Sequence, residues 1–134
     1  MAKIAMIGAG SMVFCKTLVN DILATPALQD SEICLMNHTQ PKLDRMEAFV
    51  KRMVAENKLP TKITATTDRK KALSGAKYAI IMIQVGGLDA FRCDYTIPLK
   101  YGVDQCIGDS LNPGGIFRGL RTIPGLAVIV RDME

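Results

Sequence analysis

The stretch Ile7-Gly8-Ala9-Gly10-Ser11-Met12-Val13 decides how this chain folds. It follows a compact apolar run at residues 3–7 (KIAMI), which is typical of a buried parallel strand. After it, apolar side chains recur along one helical face at Cys15, Leu18, Val19, Ile22 and Leu23. A glycine-rich turn between a strand and a helix predicts a βα unit. The helix should end before Pro26, because the residue preceding a proline is disfavoured in the helical region.

The same alternation continues beyond this unit. Residues 32–36 (EICLM) predict a second strand, and the β-branched run at residues 62–66 (KITAT) predicts a third. Between them, Pro41 is placed to open a helix. Its apolar stripe comprises Leu43, Met46, Val50, Met53 and Val54.

A short helix and a fourth strand follow. Asp68 is expected to cap a helix that runs through Leu73 and is ended by Ser74-Gly75. Residues 78–85 (YAIIMIQV) are the most apolar run in the chain, and Gly86-Gly87 close it. This run predicts a strand buried on both faces.

The order of elements predicts the fold class. Strands that alternate with helices indicate an α/β protein with a Rossmann-like parallel sheet, right-handed crossovers and helices on both faces. In a sheet of order 3-2-1-4, the outer edge of residues 78–85 has no neighbouring strand. We therefore expect the isolated chain to self-associate through this edge.

The last third of the sequence predicts a helix and then a long loop. Turn signals occur at Tyr101-Gly102 and at Asn112-Pro113-Gly114-Gly115. A final helix is expected from Pro124, with Leu126, Ala127 and Val130 facing inward. No cap or strand follows this helix before Glu134, so we expect the domain to be truncated after it.

Composition limits the classes of protein. A chain of 134 residues with 49% hydrophobic and 22% charged residues is expected to form one globular domain. The net charge of +4 comes from basic residues scattered among acids without interleaved aromatics, which favours a solvated surface over a nucleic-acid interface. No apolar run approaches the roughly 20 residues that span a membrane.

The cysteines and the N-terminus indicate the compartment. None of the four cysteines forms a CxxC pair or has zinc-type spacing, and Cys15 and Cys34 lie on apolar faces. The first residues lead directly into a strand, without the pattern of a signal peptide. We therefore expect a cytoplasmic protein with reduced, buried thiols at these two positions.

The glycine loop predicts a dinucleotide site. Gly8 permits the tight turn, Gly10 allows a pyrophosphate to approach the backbone, and free amides at the helix N-terminus bind its charge. The candidate contacts are Gly8, Ala9, Gly10, Ser11, Met12 and Val13. Val13 stands where a third glycine would be, which predicts a slightly wider spacing of helix and strand. The alternative is a purely structural turn, which explains many Gly-x-Gly matches.

The second strand ends without the acid that commonly binds ribose hydroxyls. The chain has Asn37-His38-Thr39 there, and its next carboxylate is Asp44. Asn37 can donate and accept hydrogen bonds but carries no charge, so its presence either relaxes discrimination against a 2′-phosphate or weakens binding. His38, the only histidine, fits a surface or stacking position better than a catalytic one.

A second cluster lies at residues 108–124 (GDSLNPGGIFRGLRTIP). A Pro-Gly-Gly turn before a helix offers amides to an anion or a closely approaching ligand. Asp109, Arg118 and Arg121 add polar groups beside it. The residues alone leave open whether this segment binds a ligand or is only a loop with a helix cap.

Taken together, several of these segments resemble glycoside hydrolase family 4, and within it the α-galactosidase (melibiase-like) branch. They are residues 7–11, residues 21–23 with Pro26-Ala27-Leu28, residues 84–87 (QVGG), and the run from Gly108 through Pro124. The resemblance covers essentially the whole chain. The run from Pro113-Gly114-Gly115 to Pro124 is far more specific than the glycine loop.

The resemblance implies an unusual reaction. Enzymes of this family use NAD⁺ to oxidise the C3 hydroxyl of the sugar, and a base then removes the acidified C2 proton. A divalent metal, typically Mn²⁺, stabilises the enediolate before the aglycone is eliminated. By resemblance, Gln84, Val85 and Gly86 would lie near the nicotinamide. Asp109, Asn112 and Arg118 would lie near the sugar.

The chain departs from the family pattern in two respects. Asn37 and Thr39 stand where relatives carry aspartates, and the family's metal ligands and catalytic base lie C-terminal to these residues. No catalytic or metal-binding residue is therefore assigned, and binding of a glycoside is expected only when the C-terminal part is supplied.

Three hypotheses follow from the sequence. The first is the NAD-binding portion of an NAD- and Mn²⁺-dependent glycosidase, inactive alone. The alternative is a stand-alone nucleotide-binding module that regulates or assembles with a partner. A complete small dehydrogenase is disfavoured, because neither a Tyr-x-x-x-Lys motif nor a His–Asp pair is evident.

Overall fold

The computed structural model describes residues 1–105 and 111–133. Its elements, in chain order, are β1 (Ala2–Ile7), α1 (Phe14–Ala24), a 3₁₀ turn (Pro26–Leu28), β2 (Ser31–Met36), α2 (Gln40–Glu56), β3 (Lys62–Thr66), α3 (Arg69–Leu73), β4 (Tyr78–Ile81), α4 (Gly87–Leu99) and α5 (Pro113–Arg131). They fall into two compact units, of which the first comprises Met1–Ile83 and the second Gln84–Asp132.

The first unit contains a four-stranded parallel sheet of order β3-β2-β1-β4. Its register places Ile4 beside Ile33 on one side and beside Tyr78 on the other. The predicted parallel Rossmann-like sheet and its strand order are confirmed. Parallel pairing requires a crossover between successive strands, and the three helices of this unit supply those crossovers.

One face of the sheet packs on α1 and α2. The core cluster on this face, no member of which is more than 8% exposed, comprises Ile4, Met6, Ile33 and Leu35 from the strands, Cys15, Val19, Ile22 and Leu23 from α1, and Leu43, Met46 and Val50 from α2. The predicted apolar stripes of both helices therefore do line the core. Each such aliphatic side chain contributes roughly 1.5–3 kcal/mol by leaving water.

The opposite face carries α3. Side chains alternate along a strand, so Lys3 points away from the face to which Ile4 belongs. Its ammonium donates to the carbonyl oxygens of Lys71 (3.1 Å) and Ser74 (2.6 Å), at the C-terminal end of α3. At the other end of α3, the Asp68 carboxylate accepts from the amides of Lys70 and Lys71, as the predicted N-cap should. Helices thus lie on both faces of the sheet, as the sequence predicted.

Strand β4 is shorter and more exposed than the sequence predicted. It covers four residues instead of 78–85, with Tyr78 51% exposed and Ala79, Ile80 and Ile81 only partly buried. Its pairing ends where Ile81 meets Ile7, because the chain turns away at Gly8 and β1 has no further residues to pair with. None of the four residues of β4 is fully buried, so the prediction of a strand buried on both faces was wrong. Within the described ranges β4 pairs with β1 alone.

Helix α5 begins earlier than predicted. It starts at Pro113 instead of Pro124, which lies inside the helix. The side chain of Asn112 accepts a hydrogen bond from the Gly115 amide at 2.8 Å and caps the helix. Proline is well suited to the first helical position, where its missing N–H has no helical partner anyway. The Pro-Gly-Gly segment is therefore the first turn of a helix.

Two cysteines lie in the core, as expected. Cys15 and Cys34 are buried free thiols, whereas Cys93 is exposed. Burial raises the pKa of Cys15 from 9.0 to about 11. Because the folded state holds this proton more tightly than the unfolded state, the group lowers stability as pH rises from 9 toward 11 and has no effect at neutral pH.

The helices do not have the character of membrane spans. Within residues 1–105 and 111–133, none combines the length and the apolarity needed to cross a bilayer.

The open edge of β4 leads to the first prediction. We expect the 134-residue chain to self-associate in solution. Replacing Tyr78 by lysine should shift it toward the monomer, because a charge on an edge strand opposes pairing with a second chain. Tyr101→Lys makes the same change at a residue that is 82% exposed and outside the sheet, and it should have no such effect. Light scattering over a concentration series measures both, and a stable monomer at high concentration would contradict the prediction.

Candidate functional site

The turn after β1 requires a glycine at position 8. Gly8 has φ +92°, in the region that favours glycine. A Cβ atom there would also collide with the carbonyl oxygen of Met82. The Met82 amide donates a hydrogen bond to the Ile7 carbonyl at 2.8 Å, so the backbone that follows β4 is fixed and cannot easily move away from such an atom. Gly8 therefore has the turn-forming role that the sequence predicted.

The first three amides of this loop already donate hydrogen bonds to backbone carbonyls of the protein. The N–H groups of Gly8 and Ala9 both donate to the carbonyl oxygen of Met36, at 2.9 and 2.8 Å, and the Gly10 N–H donates to Gly8 at 2.8 Å. These bonds hold the loop against the end of β2. A ligand can contact Gly8, Ala9 and Gly10 by close approach but cannot use these N–H groups as they stand.

The amides that remain belong to the start of α1. The hydroxyl of Ser11 accepts from the Phe14 amide at 3.2 Å, and its carbonyl accepts from the Cys15 amide at 3.1 Å, so Ser11 caps the turn that leads into α1. In the described part of the chain, no protein hydrogen bond involves the N–H groups of Ser11, Met12 or Val13. Uncommitted amides at the positive end of a helix are the groups that bind phosphate.

The side chain of Val13 does not lie between helix and strand. It is 70% exposed, and the neighbouring Met12 is 52% exposed. The expectation that Val13 would hold α1 away from the sheet was therefore wrong. Val13 precedes the first full turn of α1, where its side chain turns outward.

Asn37 lies beside the glycine loop. A Cβ atom on Gly10 would collide with the side-chain amide nitrogen of Asn37 and would lie 3.3 Å from the Cβ of Lys42. Gly10 thus leaves room for Asn37 as well as for the expected pyrophosphate. Asn37 is half-buried, whereas His38 and Thr39 after it are exposed. The structure therefore brings the end of β2 to the loop, as the ribose prediction requires.

The second unit holds the other predicted cofactor contacts in a tight turn. Gly86, with φ +85°, precedes α4. The side-chain amide of Gln84 donates to the Gly87 carbonyl at 3.2 Å. The carbonyl of Val85 accepts from the Nε of Arg121 at 2.9 Å. Gln84 and Gly86 are exposed, so they are accessible to a ligand.

A buried ion pair anchors this turn. Both terminal nitrogens of the Arg121 guanidinium donate hydrogen bonds to the Asp94 carboxylate, Nη1 to Oδ1 at 3.0 Å and Nη2 to Oδ2 at 2.6 Å. The Asp94 side chain is 2% exposed and that of Arg121 27%. The hydrogen bond that Arg121 donates to Asp94 raises the pKa of Arg121 above its usual value. A bidentate Arg–carboxylate pair fixes orientation as well as distance, so Val85 is tied to α4 and α5.

A second set of contacts joins α4 to the start of α5. Gln105, only 6% exposed, donates to the Asp94 carbonyl at 2.7 Å and accepts from the Gly114 amide at 3.2 Å. Asn112, predicted to lie near the sugar, uses its side-chain oxygen for the cap of α5. Arg118 is half-buried in α5. Asp109 lies outside the described residues.

Sequence reasoning missed the roles of Asp94 and Gln105. Asp94 sits in an otherwise unremarkable amphipathic helix, 27 residues from its partner Arg121, and no local motif marks the pair. No metal-binding residues were predicted. In residues 1–105 and 111–133, no three or more His, Cys, Asp or Glu side chains come together in a way that could hold an ion.

The parallel sheet and the glycine loop define the class of protein, a Rossmann-type α/β unit with a glycine-rich turn between β1 and α1. The model of family 4 glycosyl hydrolases matches residues 3–134. The chain therefore belongs to this family, as the resemblance indicated.

Two curated relatives show how much of a family member the chain represents. It is 50% identical over 132 residues to an alpha-galactosidase of Rhizobium meliloti (strain 1021), covering 98% of this chain and 27% of that protein. It is 41% identical over 135 residues to an alpha-galactosidase of Bacillus subtilis (strain 168), covering 100% of this chain and 31% of that protein. The chain thus spans less than a third of these relatives.

A solved structure confirms the fold. A 6-phospho-beta-glucosidase from Thermotoga maritima, determined with manganese, NAD⁺ and glucose-6-phosphate, superposes with a TM-score of 0.84 at 30% identity. The match covers 99% of this chain and 31% of that one.

The ion pair of the second unit gives a prediction about stability. Asp94→Ala should lower the Tm of unfolding by several degrees, because it leaves the Arg121 guanidinium partly buried without its carboxylate. Asp94→Asn keeps one acceptor oxygen and should cost less. Asp89→Ala, at an exposed position on the same helix, is the matched control and should change the Tm little. Calorimetry of the three variants decides, and equal effects at positions 89 and 94 would contradict the assignment.

Proposed function

We propose that residues 1–134 form the dinucleotide-binding domain of an NAD- and Mn²⁺-dependent glycosidase of the α-galactosidase type. The observation that carries this proposal is the glycine loop with uncommitted amides at Ser11, Met12 and Val13, in a chain of family 4. The Thermotoga relative that was solved with NAD⁺ and manganese supports the cofactors. The two alpha-galactosidases support the substrate class.

The residues of the first unit fit the adenosine and pyrophosphate parts of NAD⁺. The amides at the start of α1 would bind the pyrophosphate, while Gly8 and Gly10 keep the backbone open to close approach. Asn37 would contact the ribose. In the second unit, Gln84, Val85 and Gly86 would contact the nicotinamide end, and Asp109, Asn112 and Arg118 would lie near the sugar.

The cofactor would supply a hydride acceptor for the C3 hydroxyl of the glycoside. The role of this chain in the reaction is to bind and orient that acceptor. Arg121 contributes indirectly, since its bond to the Val85 carbonyl holds the turn beside which the nicotinamide end would lie. Holding the reactants in the correct relative geometry lowers the activation barrier of a reaction.

The described residues do not fit the metal. Manganese needs several oxygen or nitrogen ligands around one point, and no such group occurs in residues 1–105 and 111–133. Metal binding and proton abstraction would therefore fall to residues outside these ranges. A role in carbohydrate metabolism follows from the proposed activity, and we propose that the protein carries it out in the cytoplasm.

Cofactor binding is the direct test. The chain should bind NADH saturably, with affinity weaker than that of an enclosed site, and Gly10→Val should abolish binding. The added side chain would displace Asn37 and block the approach to the loop. Gly119→Val is the matched control, since a Cβ atom there meets nothing within 4 Å. NADH fluorescence titration measures both variants, and an absence of saturable binding by the unmodified chain would overturn the proposal.

Activity is tested by exchange with a relative. The 134 residues should replace the matching segment of the Rhizobium meliloti alpha-galactosidase, and the chimera should hydrolyse a chromogenic α-galactoside with added NAD⁺, Mn²⁺ and reductant. The same chimera with Gly10→Val should be inactive. The chain alone should show no turnover. A folded chimera that binds NADH without any hydrolysis would favour a nucleotide-binding module that regulates or assembles with a partner, and turnover by the chain alone would overturn the division of roles.

A further inference from the structure

We propose that the adenosine end of this site is built for a 2′-phosphorylated ribose, so that the chain binds NADP⁺ at least as well as NAD⁺, with Asn37, Thr39 and Lys42 as the specificity-determining residues. This inference rests on the proposed function, because it concerns the same dinucleotide site. It goes beyond it by assigning the form of the cofactor to particular side chains.

The end of β2 carries no negative charge that would repel a 2′-phosphate. An acid at this position accepts hydrogen bonds from the ribose hydroxyls and excludes a 2′-phosphate. Here the position holds Asn37, whose amide lies against Gly10 and can donate a hydrogen bond to a phosphate oxygen. The next acid after it along the chain, Asp44, accepts a hydrogen bond from the Gln40 side chain at 2.6 Å on the exposed side of α2.

A cationic side chain, that of Lys42, begins beside Gly10 and Asn37. The Cβ of Lys42 lies 3.3 Å from where a Cβ of Gly10 would be, which places the base of its side chain next to Asn37 and the loop. Lys42 is exposed, and among the described residues no ion pair involves its ammonium. A lysine on a flexible stem is a common point-charge ligand for phosphate.

Between Asn37 and Lys42 in the sequence, Thr39 has a side-chain hydroxyl without a protein hydrogen bond among the described residues. Thr39 occupies the N-cap position of α2, but its side chain makes no cap hydrogen bond. Its carbonyl accepts from the amides of Lys42 and Leu43, both at 3.1 Å, so the backbone is fixed while the exposed hydroxyl stays available. A threonine hydroxyl can donate to a phosphate oxygen, and the N-terminal end of a helix favours negative charge.

Asn37 and Lys42 both lie beside Gly10, and Thr39 stands between them in the sequence at the start of α2. The loop from Gly8 to Gly10 is tied to Met36, and Asn37 follows Met36 directly. Each group alone is compatible with a neutral ribose. Together they replace a negative position by one neutral donor, one hydroxyl and one cation, all of which can bind the oxygens of a phosphate dianion.

The test compares two nucleotides that differ by one phosphate. Adenosine 2′,5′-bisphosphate should bind the 134-residue chain about tenfold more tightly than 5′-AMP at low salt, and NADP⁺ should bind at least as tightly as NAD⁺. The preference should shrink as salt is added, because exposed charges are screened. Isothermal titration calorimetry measures all four ligands.

Variants locate the preference. Lys42→Ala should remove most of it by lowering the affinity for adenosine 2′,5′-bisphosphate far more than that for 5′-AMP, and Asn37→Asp should reverse it. Lys51→Ala removes the same charge from the same helix at an ion pair with Glu47, and it should leave the preference intact. All of these positions except Asn37 are exposed, so the lysine variants are expected to fold. Thermal melts confirm folding in each case.

The outcomes separate this inference from the proposed function. Binding of 5′-AMP without any preference for the 2′-phosphate would overturn the inference and leave the proposed function standing. Equal losses in Lys42→Ala and Lys51→Ala would also overturn it, because they would indicate a nonspecific charge effect. If neither nucleotide bound at all, the proposed function would fail together with the inference.

Discussion

The site depends on one carbonyl oxygen, that of Met36, which accepts hydrogen bonds from the amides of both Gly8 and Ala9. These two hydrogen bonds to the end of β2 turn the chain sharply after β1. They are possible only because glycine at position 8 tolerates a positive φ. The turn brings Gly10 against Asn37 and directs Ser11 to cap the turn that leads into α1. The amides left over at the start of the helix are then the natural place for a phosphate charge. A single constraint thus determines both the conformation of the loop and the groups that it offers to a ligand.

In the second unit, an ion pair has a comparable organising role. Asp94 and Arg121 connect α4 with α5 and reach the carbonyl of Val85, so the turn before α4 is held by side chains as well as by its own backbone. Burying such a pair contributes little net stability, because desolvation offsets much of the attraction. Its value lies in geometry, since a planar fork that satisfies both carboxylate oxygens and a backbone carbonyl permits one arrangement of three segments.

Family membership and cofactor choice are separate questions for this protein. The strand order, the glycine loop and the run through Pro124 follow the pattern of family 4, and they concern fold and general chemistry. The end of β2 differs from that pattern, because Asn37 and Thr39 replace the expected acids. Side chains at this one point do not alter the sheet, so they can differ in charge while the chain stays 50% identical to an alpha-galactosidase.

The sequence by itself determined the identity and order of the strands and helices in the first unit, because the period of the apolar pattern, the glycine turn and the caps are local properties. It also located Asn37 beside the glycine loop, since neighbouring parallel strands end at the same edge of a sheet. Only the tertiary structure decided how far β4 extends, which depends on where β1 stops offering partners, and that α5 starts at Pro113 and continues through Pro124. The pairing of Asp94 with Arg121 and the position of Lys42 beside Gly10 were likewise beyond local reasoning, because these contacts join residues that lie 27 or more positions apart.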